Sequence, residues 1–267
     1  MNIACCSTLN DLYFDGFITF FYSLRKHNPW FDYDYYIYSW GELSEKNKDT
    51  LKNIYSRFIF KDIKNEDYTN CKYDTTWRTW DINCINRADI FTTEGYDKLI
   101  FFDADMIVLK DIKYLFNLDV EFGVVEMTKG TEMDHPGRFD KSIKSFDGGL
   151  LVISKKYLNE QTKFDLIKIA KQRNWSSDEP ILNTYFDNSK ATFMPREYNL
   201  LSQEVDQEKL DNARILQFVG SKKPWFPGTI DDRFCKSALH KIPLSFVIKM
   251  DLLFKTYYNE AKIAYGL

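Results

Sequence analysis

The sequence contains no CxxC pair, no Lys/Arg-rich tract, no Gly/Ser-rich linker and no uncharged apolar run of about 20 residues. Each absence removes a class of protein. The five cysteines (Cys5, Cys6, Cys71, Cys84 and Cys235) are odd in number and read as reduced thiols, which argues against a disulfide scaffold or a zinc site. Without a basic arm, and with a net charge of −3, nothing points to a nucleic-acid partner. Without a long apolar run, no helix is expected to span a membrane. Strand-like sequence starts at Ile3 and leaves no room for a charged segment followed by an apolar one. A cytoplasmic, unsecreted protein is therefore expected, and the Asn174-Trp175-Ser176 sequon is then incidental. With no linker or internal repeat, the 267 residues and 44% hydrophobic content suit one domain plus a C-terminal appendage.

What is present alternates. Ile3–Thr8 reads as a strand, and Asn10 as the cap of a helix whose apolar positions Leu12, Phe17, Phe20, Phe21 and Leu24 recur until Asn28-Pro29 ends it. Tyr35–Tyr38 reads as a second strand, Ser44 as opening a polar helix to about Tyr55, and Arg57–Phe60 as a third strand. Trp77–Thr93 has helical periodicity closed by Gly95, and Lys98–Phe102 is a fourth strand. Strands alternating with helices predict an α/β fold with a mainly parallel sheet. Further on, Phe122–Glu126, Leu150–Ile153, Ala191–Met194 and Arg214–Phe218 are strand-like. Lys155–Arg173 reads as a helix, and Ser177 as the cap of a short one through Phe186. Met127–Ser145 and Pro195–Asn212 read as long polar loops, a length that goes with function or disorder.

One stretch breaks its own pattern. In LIFFDADMIVL, residues 99–109, two aspartates interrupt an apolar run at the carboxyl end of the fourth strand. Ligands of open α/β sheets bind beyond such strand ends. Alternation in an extended chain lets Asp103 and Asp105 project toward one point, where they repel each other unless a cation joins them. Oxygen ligands suit Mg2+ or Mn2+, whose remaining positions take substrate phosphates. A solvated strand end explains the pair as well, and Asp32-Tyr33-Asp34 matches the same spacing in a segment that reads as an exposed turn. Three more stretches bear on the choice. NDLYFDGFITFFYSLRKHN places Asn10 and Tyr13 after the first strand, FDGGLLVIS leads Asp147 and two glycines into a strand, and QFVGSKKPW follows a strand with Gly220 and Lys223. Lysine near a glycine turn suits phosphate.

In their order these stretches resemble the retaining glycosyltransferases of the glycogenin and lipopolysaccharide-galactosyltransferase family. The family's Thr-x-Asn-Asp-x-Tyr-x-x-Gly opening matches Thr8, Asn10, Asp11, Tyr13 and Gly16. Its Phe-x-Asp-Ala-Asp strand end matches Phe101 through Asp105, and its Phe-Asn-x-Gly entry matches Phe146-Asp147-Gly148-Gly149. Its Asp-Gln-x-x-Leu-Asn helix matches Asp178 through Asn183, and its His-Phe-x-Gly-x-x-Lys-Pro-Trp block matches Gln217 through Trp225. The resemblance spans roughly residues 3–226. It implies a GT-A fold: a Rossmann-like domain over residues 1–228, with a mixed, mainly parallel central sheet flanked by helices, and a helical appendage over 229–267. It also implies a metal-dependent retaining transfer of a hexose from a nucleotide sugar, UDP-glucose or UDP-galactose, to a glycan or protein hydroxyl.

By that resemblance, Thr8, Asn10 and Tyr13 hold the base, with Tyr13 stacking on it. Asp103 and Asp105 bind Mn2+ or Mg2+, and the Ala104 backbone lies near the ribose. Gly220 and Lys223 grip the diphosphate, while Trp225 packs. Arg78 and Arg87, 25 and 16 residues before Asp103, stand where related sequences carry an arginine and a lysine facing the donor. Arg87 is expected near the sugar and the first carboxylate, though either arginine could instead solvate a helix face. Three positions depart from the family pattern. Gln217 replaces a histidine of the metal site and is a poorer ligand for Mn2+ than imidazole. Asp147 replaces an asparagine near the sugar pocket. Glu179 replaces the glutamine beside the reacting carbon, where it could stabilise oxocarbenium character, form a glycosyl-enzyme or hydrogen-bond a sugar hydroxyl. Asp178 is the first choice for a sugar-contacting or catalytic carboxylate, and otherwise a charge at a helix start.

Two rivals remain at this point. A sugar-nucleotide pyrophosphorylase needs a Gly-rich phosphate loop after its first strand, and CCSTLNDLY has none. A non-catalytic or weakly hydrolytic UDP-sugar binder is compatible with Gln217 and Asp147. After Trp225 the resemblance fades. Pro243-Leu244 begins a helix to about Tyr265, with Phe246, Val247, Met250, Leu253, Phe254, Tyr257 and Tyr258 on an apolar face and Lys249, Lys255 and Lys262 among them. That face fits core packing, a homodimer contact or a peripheral membrane contact.

Overall fold

A computed structural model of the chain describes residues 1–39, 43–71, 82–127, 144–172, 174–175, 177–187, 189–220, 223–226 and 242–267. Contacts divide it into two compact units. One comprises Met1–Asn10, Tyr33–Phe102 and Leu115–Met194; the other comprises Asp11–Asp32, Asp103–Tyr114 and Pro195–Leu267.

The first unit is built on a seven-stranded sheet. Its strands are β1 (Ile3–Thr8), β2 (Asp34–Ser39), β3 (Phe58–Asp62), β4 (Lys98–Phe102), β6 (Phe122–Glu126), β7 (Phe146–Ser154) and β8 (Thr192–Met194), in the order β3-β2-β1-β4-β7-β6-β8. Pairing is parallel from β3 through β4 and antiparallel on both sides of β7. Strand order reverses between β1 and β4, so the carboxyl ends of these two central strands mark the topological switch point. Both are almost entirely buried, and apolar but for Ser7 and Thr8 in β1 and Lys98 in β4, because both faces are covered, which is why neither shows alternation. Lys98 is the exception in β4: its buried ammonium donates to the carbonyls of Phe116 (2.9 Å) and Leu118, at the end of the short helix α3 (Lys113–Asn117). β3 lies at an edge, and its exposed Lys61 and Asp62 keep that edge from pairing further.

Helices α2 (Glu45–Ile54), α4 (Glu160–Ala170) and α5 (Glu179–Tyr185) complete this unit. Ser44 caps α2 as expected, its hydroxyl accepting the Asn47 N–H. Lys155–Arg173 is not one helix. Extended backbone at Asn159 lets its carboxamide oxygen accept the Thr162 N–H, so α4 starts only at Glu160. Over Trp77–Thr93 the structure has a 3-10 helix, Ile82–Thr92, and residues 77–81 lie outside the described residues. The core gathers aromatic side chains from strand and helix. Phe122 stacks on Phe186 with centroids 3.6 Å apart, and Phe146 and Tyr157 meet the Phe122 ring edge-on.

The second unit holds α1 (Phe14–His27), α6 (Gln207–Asn212), α7 (Leu244–Tyr265) and a small sheet ordered β5 (Met106–Val108), β10 (Ile215–Gln217), β9 (Leu200–Leu201). Asn10 is not the cap of α1. A 3-10 turn, Asp11–Tyr13, comes first, and Tyr13 takes the cap position. Two buried side chains tie α1 to the chain after β4: Ser23 accepts the Val108 N–H and Asn28 the Ile112 N–H, both at 2.8 Å. Pro195–Asn212 is not a featureless loop, since it carries β9, α6 and two 3-10 turns. The apolar face of α7 packs inward. Met250, Phe254 and Tyr257 join Ile107, Leu216 and Phe218 in one cluster, and Lys26–Glu260 (2.7 Å) and His27–Tyr257 (2.7 Å) fasten α7 to α1. Gly266, in the left-handed region at φ +67, closes the helix. No helix among the described residues is long and apolar enough to cross a membrane.

Candidate active site

The second unit gathers the residues at the end of β4. Asp103 and Asp105 follow Phe102 directly, and Gln217 stands across the β5–β10 pairing from Met106. Gln217 Nε2 donates to Asp103 Oδ2 at 2.9 Å and to Asp105 Oδ1 at 3.3 Å. Its Oε1 is buried and has no hydrogen-bond partner among the described residues. Lys223, 2% exposed, donates its ammonium to Asp105 Oδ2 and to the Phe218 carbonyl (2.6 Å). The Phe218 N–H in turn donates to the Asp105 carbonyl at 2.8 Å. Two acids, one lysine and one amide therefore form a mutually bonded corner, buried apart from the half-exposed Asp103.

Aromatic packing holds this corner from the α1 side. Trp225 donates its indole N–H to the Leu12 carbonyl (3.0 Å) and packs on Phe254 at 5.2 Å. Tyr13 meets Trp225 and Phe226 edge-on at 5.8 and 5.9 Å, and the Lys223 ammonium lies 5.7 Å from the Tyr13 ring centroid. Gly16 permits this approach: a Cβ there would stand 2.6 Å from the Trp225 ring and 2.8 Å from the Ala104 carbonyl. Gly220, at φ +94 in the left-handed region, turns the chain between β10 and Lys223.

The first unit forms a second polar group. Arg87 Nε is 2.8 Å from Asp178 Oδ2, and both side chains are largely buried. Arg87 Nη1 also donates to the Gly148 carbonyl, and the guanidinium lies 4.5 Å over the Phe101 ring. The Gly148 N–H points the other way, to Glu179 Oε1 at 3.4 Å. β7 makes this possible by bulging against β6: Val124 pairs with Leu151 while Val125 pairs with Asp147, leaving three residues between. At the bulge Asp147, itself buried, accepts the Gly149 N–H at 2.8 Å. Asn183 locks the strand to α5, exchanging hydrogen bonds with the Phe146 backbone, each at 2.9 Å.

Of the expected site residues, the structure brings Asp103, Asp105, Gln217 and Lys223 together, with Tyr13 beside them. Separately it brings together Arg87, Asp178, Glu179 and Asp147. Thr8 and Asn10 stand at the end of β1, and Arg78 lies outside the described residues. The pairing of Arg87 with Asp178 was not foreseen, nor were the roles of Phe101 and Asn183. Both of those residues sat inside quoted motifs, but their type alone did not announce a partner. Asp34, of the second Asp-x-Asp match, starts β2 and pairs with Arg57 at 3.1 Å and with the Tyr96 hydroxyl at 2.6 Å.

Among the described residues no three His, Cys, Asp or Glu side chains cluster to hold a metal. The corner offers two carboxylates and an amide instead. With Nε2 facing the acids, Gln217 cannot ligate a cation, because that nitrogen has no free lone pair. Turning the amide by half a circle would bring the orphaned Oε1 to the same place. Asp103, Asp105 and Gln217 then form a hard oxygen set of the kind that Mg2+ or Mn2+ accepts while keeping phosphate or water oxygens elsewhere.

Comparison with known proteins decides the class. A family model described as glycosyl transferase family 8 matches residues 4–228. The chain belongs to this family. It is 27% identical over 236 residues to an uncharacterized protein of Acanthamoeba polyphaga mimivirus, covering 81% of this chain and 79% of that one. It is 22% identical over 231 residues to glycogenin-1 of Mus musculus, covering 82% of this chain and 63% of the glycogenin, so it spans less than two thirds of that relative. The galactosyltransferase LgtC, solved with donor and acceptor sugar analogs, superposes with a TM-score of 0.69 at 18% identity over 90% of this chain and 97% of that one. The mixed, mainly parallel α/β architecture is thus the GT-A fold, and this family 8 chain is a glycosyltransferase.

Proposed function

We propose that this glycosyltransferase moves a hexose, with retention, from a UDP-sugar such as UDP-glucose or UDP-galactose to a hydroxyl of a glycan or protein. The observation that carries the reading is the buried corner in which Asp103, Asp105, Gln217 and Lys223 converge at the end of β4. Asp103 and Asp105, with Gln217 turned, would hold a divalent cation, Mn2+ or Mg2+. When bound, that cation offsets charge on the departing diphosphate. Lys223 and the turn at Gly220 would grip the same diphosphate, which stabilises the leaving group where charge develops. Thr8, Asn10 and Tyr13 would take the base, and the Ala104 backbone the ribose.

The group read as serving the sugar lies in the first unit, where Arg87 holds Asp178 in one orientation and fixes the Gly148 carbonyl, while Glu179 accepts the Gly148 N–H. A carboxylate paired in this way suits a sugar hydroxyl better than nucleophilic attack, so Asp178 and Asp147 are read as orienting groups. A contact of Arg78 with the donor rests on the resemblance alone. No enzyme base is required, because a leaving phosphate oxygen can accept the acceptor's proton.

The transferase domain is read as residues 1–228, the span at whose end the family match stops, with 229–267 as an appendage. The outer face of α7 exposes Leu244, Ile248 and Leu252, and we read it as a peripheral membrane or homodimer contact. Vesicle sedimentation of the full chain and of a triple serine variant at these positions tests the membrane form, and equal sedimentation would discard it.

A panel of UDP-sugars with Mn2+ or Mg2+, read by released UDP and by intact-protein mass, tests the function. UDP release with one sugar supports it, and mass gained in hexose steps would identify the protein as its own acceptor. Lys223 on Asp105 and the amide nitrogen on both acids also favour a second reading, a binder that does not turn over. Tight UDP binding with no release would establish that reading.

A further inference from the structure

The geometry points to Lys223 as a resident counter-ion of the acid corner. It leaves Asp105 for the donor's diphosphate, so the corner accepts a divalent cation together with the nucleotide and only weakly without it. The inference rests on the reading of this corner as the cation and diphosphate seat, and it assigns Lys223 a role in the order of binding.

Three observations carry it. First, the lysine does not wait in solvent for phosphate. It is 2% exposed, and its ammonium is bonded to Asp105 Oδ2 and to the Phe218 carbonyl. Second, the remaining acid oxygens that face the corner meet N–H groups: Gln217 Nε2 donates to Asp103 and to Asp105. The corner therefore offsets one of its two negative charges with the ammonium and meets the acids further with amide N–H groups. Third, that arrangement leaves Gln217 Oε1 buried with no hydrogen-bond partner among the described residues. A buried amide oxygen left unpaired is unfavourable, and the orientation persists because the amide nitrogen meets two carboxylates. The same oxygen becomes the better inward-facing atom once a cation replaces the ammonium.

Charge explains the coupling. The two aspartates carry −2, and Lys223 brings the corner to −1. A divalent ion entering beside the ammonium would share Asp105 with it at short range, where like charges repel strongly in a buried site. An incoming diphosphate supplies the alternative partner that releases the lysine. The ammonium lies 5.7 Å from the Tyr13 ring, on the side where the nucleotide is proposed to bind, so a change in its flexible four-carbon stem suffices. Linkage then requires the cation to tighten UDP binding by the same factor by which UDP tightens the cation.

Calorimetric titration of the full chain with Mg2+ and with Mn2+, alone and saturated with UDP, tests this beside Lys223→Met and Lys223→Arg. Wild type and Lys223→Arg should bind either cation at least about tenfold more weakly without UDP than with it. Lys223→Met, which keeps the stem and loses the charge, should bind the cation without UDP about tenfold more tightly than wild type, with the coupling to UDP correspondingly reduced. The cation should also raise the melting temperature of Lys223→Met more than that of wild type, since it replaces the missing partner of Asp105. Should Lys223→Met fail to fold, Lys223→Gln takes its place with the same expected gain. Equal cation affinity in wild type with and without UDP would overturn the inference, as would a neutral variant that binds cation no more tightly than wild type. Failure of UDP to bind any form would refute the donor assignment instead, and the cation-only comparison would still decide the role of Lys223.

Discussion

Replacing Gly16 with alanine sets two effects of opposite sign against each other. In an exposed helix interior the exchange would stabilise by about 1 kcal/mol, because alanine loses less backbone freedom than glycine. Gly16 stands in the first turn of α1, which reduces that gain. Its added Cβ would lie 2.6 and 2.7 Å from Trp225 Cη2 and Cζ2 and 2.8 Å from the Ala104 carbonyl. Neither neighbour yields easily. The indole is held by its hydrogen bond to Leu12 and its packing on Phe254, and the carbonyl is main chain. Overpacking of this kind costs roughly 1–3 kcal/mol, and two fixed neighbours place it at the upper end. The net loss is then about 1–2 kcal/mol, or a fall in melting temperature of about 2–4 °C for a chain of this size. Because Ala104 separates Asp103 from Asp105, strain relieved by moving it displaces the acids. About 1.4 kcal/mol of strain carried to the corner corresponds to a tenfold loss of UDP affinity in the presence of cation. Scanning calorimetry and calorimetric titration read the two effects. Gly95→Ala is the control: at φ +88 with no atom within 4 Å of the added Cβ, it should lose stability through backbone strain and leave UDP binding unchanged. A Gly16→Ala protein that melts at or above the wild-type temperature would refute the reasoning.

Removing Arg87 takes from the largely buried Asp178 the guanidinium 2.8 Å away and from the Gly148 carbonyl its Arg87 donor. Arg87→Ala should therefore lose about 3–5 kcal/mol in urea unfolding, with Arg87→Lys intermediate, and a loss below 1 kcal/mol would count against the pairing. Glu179→Gln keeps the acceptor that faces the Gly148 N–H, so turnover should stay within about tenfold of wild type with a retained product. A loss of about a thousandfold would instead mark the carboxylate as chemically engaged. For His27, burial, then the neighbouring Lys26, push the pKa below its ordinary 6.5, with Glu260 acting in the other direction. The unfolded chain therefore binds more protons than the fold over the window from 6.5 down to the folded value, and stability falls as pH falls through it. Denaturant midpoints between pH 7.5 and 5 should show this decline in wild type and a flatter profile in His27→Gln, while identical profiles would reject a role for His27.

How much of this was legible depended on whether a feature is local. β1 and β4 are legible to the residue because each centres on a short apolar run buried on both faces. β7 was read short, as Leu150–Ile153, because Asp147 and two glycines look like a loop, whereas a bulge carries the strand through them to Phe146. Pro195–Asn212 looked structureless because its elements are made by distant partners. The two residues of β9 exist only against β10, and Arg214 reaches back to Glu197 at 2.7 Å. The cap of α4, in contrast, was a local signal: Asn159 followed by Glu160 marks the start, and a wide helical reading passed over it.

The same division holds at the site. Motif order picked out residues that the fold brings into contact, because each motif is a contiguous stretch at a strand or helix end. It did not identify partners, because every deciding contact is remote in sequence. Lys223 meets Asp105 across 118 positions, and Gln217 meets Asp103 across 114. A lysine three residues beyond a glycine turn reads as a phosphate ligand, and only the folded chain shows that its ammonium already has a carboxylate. That difference changes the chemistry asked of the protein. A solvated lysine would add its charge to whatever arrives, whereas a buried, paired one must exchange partners first. An exchange of partners would make the binding of one ligand conditional on another, so under the proposed donor assignment the order in which cation and nucleotide bind would be a property of the residue at position 223.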